Sequence, residues 1–321
     1  MNTLNVCPCL LTEGYQSYSP IALRRLFNGK QVSHQLPFSV NTDETGSLNP
    51  LYSLSISGYQ KKILMLLEGN TLRRVEKDEQ STYILKPICT MPKNKDFAPA
   101  NEHLTMQIAA QIFGIETAEN ALIFFADGTS AYLTKRFDIT PNERYGVEDF
   151  ASLLGKTAQT HGSDYKYTGS YSDLFAAVKQ HVAAWQVESL KLFSLIVFNY
   201  LFSNGDAHLK NFSLMQSSQG DFRLAPAYDL LNTAIHIDDQ PFALKDGLLP
   251  KPYNQQKIRK QFLQLGNEVG LPEKLVAKTL ASLTSQTEKV IALTKRSFLS
   301  EKLQRNYLQT YQKRVKKVRE D

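Results

Sequence analysis

Hydrophobic and polar positions divide the chain into two unlike halves. In the first half the apolar residues come in short runs: LYSLSIS, KKILMLLEG, STYILKP, ALIFFA and AYLTKRF. These runs partly alternate and are rich in β-branched and aromatic residues, the pattern of half-buried strands. One helical pattern interrupts them. ANEHLTMQIAAQIFG puts Leu104, Ile108 and Ile112 near one face, and Gly114 stops it. In the second half the period lengthens. VESLKLFSLIVFNYLFSNG carries Leu190, Phe193, Val197 and Tyr200 at helix spacing and ends at Asn204-Gly205. QKIRKQFLQLGNEVG and KLVAKTLASLTSQTEKVIALTKRSFL predict further helices. Between the halves, KTAQTHGSDYKYTGSYSD is polar and rich in Gly, Ser and Tyr, and is expected to be a surface loop. No internal repeat is visible. The expected fold class is α+β, two-lobed and protein-kinase-like: a β-rich N-lobe over residues 1–137 and a helical C-lobe over 138–321.

Composition narrows the setting. The chain has 321 residues, 42% of them hydrophobic, enough for a large core. No run nears the ~18 apolar residues of a membrane span. The first residues, MNTLNVCPCLLTEG, lack the basic lead and long apolar run of a signal peptide. Three cysteines, Cys7, Cys9 and Cys89, suit a reducing compartment, so the expectation is cytoplasmic. Cys7-Pro8-Cys9 has no second pair, and reads as plain thiols rather than half a zinc site. Net charge is +6, with the excess in NQQKIRKQF and QKRVKKVRED. Solvated helix faces explain such clusters, and contact with an acidic partner or nucleic acid stays open.

The chemistry concentrates in FNYLFSNGDAHLKNFSLMQ. A helix stops, Asp206 follows, Asn211 comes five residues later, and a short apolar strand begins. This D-x-x-x-x-N spacing is that of a kinase catalytic loop. One carboxylate takes the proton of an attacking hydroxyl, and one amide oxygen holds magnesium beside the phosphates. Alone the motif is weak, because loop Asp and Asn are commonly turn formers. Downstream, LAPAYDLLNT offers Asp229, a second oxygen ligand of the kind magnesium takes. Upstream, Lys86 ends the apolar run TYILKP, and Glu102 opens the first-half helix as its natural partner. Plainer readings exist for each: an edge-strand lysine that deters aggregation, and an acid favoured by the helix dipole. Together these residues follow kinase order.

The segments SISGYQKK, YILKP, NEHLTMQIAAQIFGI, AYLTKRFD, FSNGDAHLKNFSL and LAPAYDLLNT resemble, in that order, the HipA family of bacterial toxin–antitoxin kinases. The likeness runs from Tyr18 to the C-terminus. It implies an ATP- and Mg2+-dependent serine/threonine kinase that phosphorylates an aminoacyl-tRNA synthetase and halts translation. It implies three catalytic residues in one loop: Asp206 as base, His208, whose imidazole would steady the transferred phosphoryl group, and Lys210. A histidine bracing that loop is the plainer reading of His208. Asn211 and Asp229 would ligate the metal. On the nucleotide side, Ser57, Gly58 and Lys86 would hold the phosphates, Glu102 would pair with Lys86, and Lys135 and Phe137 would lie near the adenine through backbone groups. The chain begins shortly before the nucleotide loop, so the N-terminal subdomain of longer members is expected to be absent. That resembles the short HipT kinases of HipBST systems. HipS-like and HipB-like antitoxins would then be the partners, DNA would be met only through the antitoxin, and the tryptophanyl synthetase is favoured as target, the glutamyl next.

In this family a nucleotide-loop serine is autophosphorylated. Ser55 aligns best with it, and Ser57 is the second candidate. A phosphoserine there adds nearly two negative charges where ATP's own phosphates must sit, so it would drive the loop outward. Two other classes remain: a catalytically weak kinase fold acting as a binding module, and a small-molecule phosphotransferase.

Overall fold

A computed structural model of the chain describes residues 4–39, 51–55, 58–140, 143–238, 240–252 and 255–320; over 51–60 only backbone is described. The elements run α1 (Pro20–Phe27), β1 (Leu51–Ser55), β2 (Gly58–Glu68), β3 (Thr71–Arg74), β4 (Tyr83–Lys86), α2 (Ala98–Phe113), β5 (Asn120–Phe124) and β6 (Ser130–Lys135). Then come β7 (Val147–Asp149), α3 (Phe150–Leu153), α4 (Ala158–His161), α5 (Tyr171–His181), α6 (Trp185–Leu201), β8 (Ser213–Gln216) and β9 (Phe222–Leu224). The chain finishes in α7 (Ile258–Glu268), α8 (Glu273–Thr284), α9 (Thr287–Lys295) and α10 (Glu301–Arg319).

Strands β1–β6 form one sheet, with path β1-β2-β4-β6-β5 and β3 paired to β2. All its pairings are antiparallel. Strand alternation decides what each face carries. Ile63, Met65, Tyr83 and Leu85 enter a cluster with Ala22, Leu26 and Phe27 of α1. The intervening Lys62, Leu64, Ile84 and Lys86 turn to the opposite face and line a cleft. β4 is a central strand, paired on both sides. Lys86 is therefore no edge-strand gatekeeper.

The segment before the sheet is structured. α1 is capped by Ser19, whose hydroxyl accepts from Ala22 N, and it ends at Asn28 in the left-handed region. Cys7 and Cys9 are buried in the same cluster. Cys9 Sγ donates to Asn120 O at 3.2 Å and Cys7 Sγ accepts from Ser19 N at 3.2 Å.

α2 crosses the other sheet face. Its first three turns are buried all round, not on one stripe, because sheet and C-terminal helices cover it together. Gly114 ends it at φ 64°, a conformation glycine adopts without strain. The large core joins α2, β5 and β6 to α5, α6 and the last helices. α10 contributes Leu303, Tyr307, Tyr311, Val315 and Val318, so the basic C-terminal stretch is the outer face of an amphipathic helix. Among the described residues no helix is long and apolar enough to cross a membrane. A small sheet, β7-β8-β9, flanks the catalytic-loop segment.

Candidate active site

The cleft lies between the sheet and the helical part, with a volume of about 1050 Å³. Lys86, Glu102, Lys135, Phe137, Asp206, His208, Lys210, Asn211 and Asp229 all line it. The sequence-predicted residues with described side chains thus converge in one place. Ser55 and Gly58 stand opposite each other where β1 meets β2, and Ser57, in the connection at 56–57, lies outside the described residues.

Lys86 sits at the end of β4, directly across from Tyr132 of β6. Its Nζ lies 5.4 Å from the Tyr132 ring centre and donates to Glu102 Oε1 at 2.7 Å. It also donates to Asp229 Oδ1. Lys86 and Glu102 are both buried. Burial pushes the Lys86 ammonium below the ordinary lysine range, and Glu102 opposes that push. A buried cation between two carboxylates is stable only while all the charges stay paired.

The catalytic-loop segment is built by capping and cross-bracing. α6 stops at Phe202, and Ser203 takes a left-handed φ of 52°. Thr233 Oγ1 donates to Ser203 O at 2.8 Å and accepts from Gly205 N at 2.9 Å. Asn204 Nδ2 donates to Asn199 Oδ1 at 2.8 Å and to Asp229 O at 3.2 Å. The turn that carries Asp206 is thereby fastened to the turn that carries Asp229. Asp229 itself holds φ 56°, unusual for a residue with a side chain, which points to a constrained site. Tyr228 adds a further tie. Its hydroxyl donates to Lys210 O at 2.9 Å and lies 2.6 Å from Ser213 Oγ, while its ring stacks on Phe137. A phenylalanine there would keep the stacking and lose the tie.

Asp206 is buried, and Oδ1 accepts from the Tyr167 hydroxyl at 2.8 Å. Asn211 closes the same loop, its Nδ2 donating to Asp206 O at 3.1 Å. With the amide nitrogen so engaged, the oxygen of Asn211 is the end left for a ligand. Asn211 Oδ1 with the Asp229 carboxylate is an all-oxygen pair, the donor chemistry Mg2+ prefers when phosphates and water complete its shell. Among the described residues no group of three or more His, Cys, Asp or Glu clusters as a metal site. Asn211 and Asp229 fit a metal that is brought with phosphates.

His208 is buried, and its ring packs edge-on to Tyr167 at 5.1 Å. Burial pushes its pKa down to about 4, against the pull of Asp206, so it is neutral at pH 7. Lys210 points to Asp149, with Nζ 2.9 Å from Oδ2. Burial works against its charge, but Asp149 outweighs that and raises it. Lys135 Nζ donates to Asn28 Oδ1 at 2.8 Å and its backbone N–H to Glu119 O at 2.8 Å, so sheet pairing already uses that donor.

Several site residues escaped the sequence reading. The stretch expected to be a surface loop instead folds as α4, a 3-10 turn at Tyr165–Tyr167 and the start of α5. It delivers Lys166 and the buried Tyr167 to the cleft. Its contact with Asp206, made by Tyr167, joins residues distant along the chain and leaves no local mark. Asn101 was also missed: it accepts from Asn232 N at 3.1 Å and donates to Asn232 O at 2.8 Å, which fixes the helix bearing Glu102 to the Asp229 turn.

Residues 54–291 match the HipA-like C-terminal domain. The chain belongs to that family. A relative named as a putative kinase, from Haemophilus influenzae, is 27% identical over 97% of this chain and 97% of its own length. The serine/threonine-protein kinase toxin HipA of Shewanella oneidensis is 26% identical over 74% of this chain; the match spans only 57% of the toxin. Among solved structures, Shewanella oneidensis HipA, determined with HipB and its operator DNA, matches with TM-score 0.65 at 22% identity. That match covers 87% of this chain and 69% of HipA. The Helicobacter pylori proinflammatory kinase CtkA matches with TM-score 0.53 at 16% identity, covering 88% of this chain and 94% of its own. At such identities the structural matches establish the HipA-like, kinase-like fold.

Proposed function

We propose that the chain is an Mg-ATP-dependent serine/threonine protein kinase of the HipA toxin type. The observation that carries this is the formed Lys86–Glu102 pair, with Asp206, Asn211 and Asp229 around the same cleft. In that reading Asp206 accepts the proton of the acceptor hydroxyl, and Asn211 and Asp229 hold the metal. Lys86 exchanges its Asp229 contact for the nucleotide phosphates. The adenine lies beside Phe137, two residues past the end of β6 at Lys135. The magnesium, when bound, offsets charge on the phosphates.

The proposal extends to the short HipT type, with Ser55 and Ser57 as autophosphorylation sites. The position of Ser55 supports it: β1 ends there, opposite Gly58 at the start of β2. An aminoacyl-tRNA synthetase is the proposed substrate, tryptophanyl first and glutamyl next. Antitoxins of HipS and HipB type are the proposed partners, and DNA is met only through them. The kinship with toxin HipA supports these assignments.

Incubation with γ-labelled ATP and magnesium, wild type against Asp206→Gln, tests the core of the reading. Label should enter protein with the wild type alone. Phosphoproteomics after induced expression should then find one dominant site on a synthetase. Label appearing only on a small metabolite would instead make the chain a small-molecule phosphotransferase.

A further inference from the structure

The two basic stretches of the sequence, NQQKIRKQF and QKRVKKVRED, lie far apart along the chain. The fold brings them together, because α7 packs on α10. A second pocket, of about 960 Å³, opens there, closed on another side by the chain at 240–247. That is the size of a small-ligand site. It shares no lining residue with the active-site cleft.

Its lining is uneven in charge. Lys245, Lys257, Lys313, Arg314 and Lys317 stand against a single acid, Glu320. That acid is itself 3.3 Å from Lys316, which lies outside the lining. Lys313 and Lys317 are exposed and make no ion pair among the described residues. They stand one turn apart on α10, a spacing at which like charges repel and cost helix stability. An anion seated between them relieves that repulsion.

The floor is preformed. Phe242 is held among Tyr171, Tyr200 and Phe262, with ring centres 5.4–6.4 Å away. The Arg314 guanidinium lies 4.7 Å from the Tyr200 ring centre, and its Nε donates to Ser203 Oγ at 3.5 Å. A planar guanidinium matches the oxygens of a phosphate group. Apolar walls under charges of one sign focus their field into the pocket and raise its hold on an anion.

We propose that this pocket is a binding site for a small phosphate-bearing anion. The site is separate from the kinase reading, since none of its cations belongs to the catalytic cleft. A small ligand is favoured over a nucleic-acid backbone because the cations converge on one concavity with an aromatic floor, instead of following a line across the surface.

The test is calorimetric titration with inorganic pyrophosphate at fixed salt, without magnesium. Wild type should bind it. Lys313→Gln with Lys317→Gln should weaken binding by ~10-fold or more, from the loss of charge-assisted contacts. The same pair changed to Arg should keep it. Lys289→Gln with Lys302→Gln removes two exposed charges outside the lining and should leave the affinity within about twofold. The Lys313→Gln, Lys317→Gln variant should melt no lower than wild type, because it removes a like-charge pair. No binding by wild type overturns the proposal. So does equal weakening in the two Gln double variants, which would mean attraction to net charge alone. Binding of a DNA duplex, and not of pyrophosphate, that is lost with Lys313 and Lys317 would make this a nucleic-acid surface and overturn it too.

Discussion

Asp206 and Asp229 share one cleft, yet they are held in opposite ways. Asp206 accepts a hydrogen bond from a neutral hydroxyl, that of Tyr167, within a loop closed by Asn211. Asp229 is tied to a buried cation, Lys86, which Glu102 also holds. A carboxylate steadied by a neutral donor keeps its charge available to a proton or a nearby cation. A carboxylate paired with an ammonium is offset until something replaces that partner. On the kinase reading proposed above, that difference suits Asp206 to proton transfer and Asp229 to a metal carrying phosphates.

The largest expected effects break this contrast directly. Asp206→Asn should reduce phosphoryl transfer by ~10²–10⁴-fold while Mg-ATP still raises the melting temperature. Asp229→Asn should abolish that magnesium-dependent rise. If both variants lose the same step, the two carboxylates are not divided in role. Next comes Lys86→Met. It strands Glu102 and Asp229 without their cation and should cost about 3–5 kcal/mol in urea unfolding. Adding Glu102→Leu should restore part of the loss; a double variant as unstable as the single would argue against charge pairing as the cause. The smallest effect is Tyr167→Phe. Removing one hydroxyl from a charged acceptor should cost about 1.5–3 kcal/mol at most. It should act on kcat more than on Mg-ATP affinity, and equal change in both would assign Tyr167 a merely structural part.

Much of this architecture was legible along the chain. Period-two runs marked β2, β4, β5 and β6, and the longer period marked α2, with its glycine stop, and α6, which ends at Leu201 rather than at the expected Asn204-Gly205. Lys86, Glu102, Asp206, Asn211 and Asp229 could be named because their residue types and order follow the chemistry of phosphoryl transfer. β3 was missed since TLRR has too few apolar positions to alternate, and it pairs through its backbone. α1 was missed because the two turns of PIALRRLF read weakly without the sheet that covers them. Tyr167 was misplaced for a different reason. Its partner Asp206 is 39 residues away, and polarity alone cannot distinguish a loop in solvent from one folded onto a buried aspartate. Asn101 and Thr233 are the same case: they pair with backbone groups that leave no mark in the sequence.

The amide of Asn101 has one further consequence. Many kinases are switched by swinging the helix that carries the glutamate partner of the phosphate lysine. Here that helix is clasped to Asn232 by a two-way amide pair fully buried from water. Displacing it would strand both backbone groups of Asn232 as well as Lys86, a penalty of several kcal/mol. An inhibitor that works by wedging this helix outward would meet a bolted door, and compounds against this chain belong in the cleft itself.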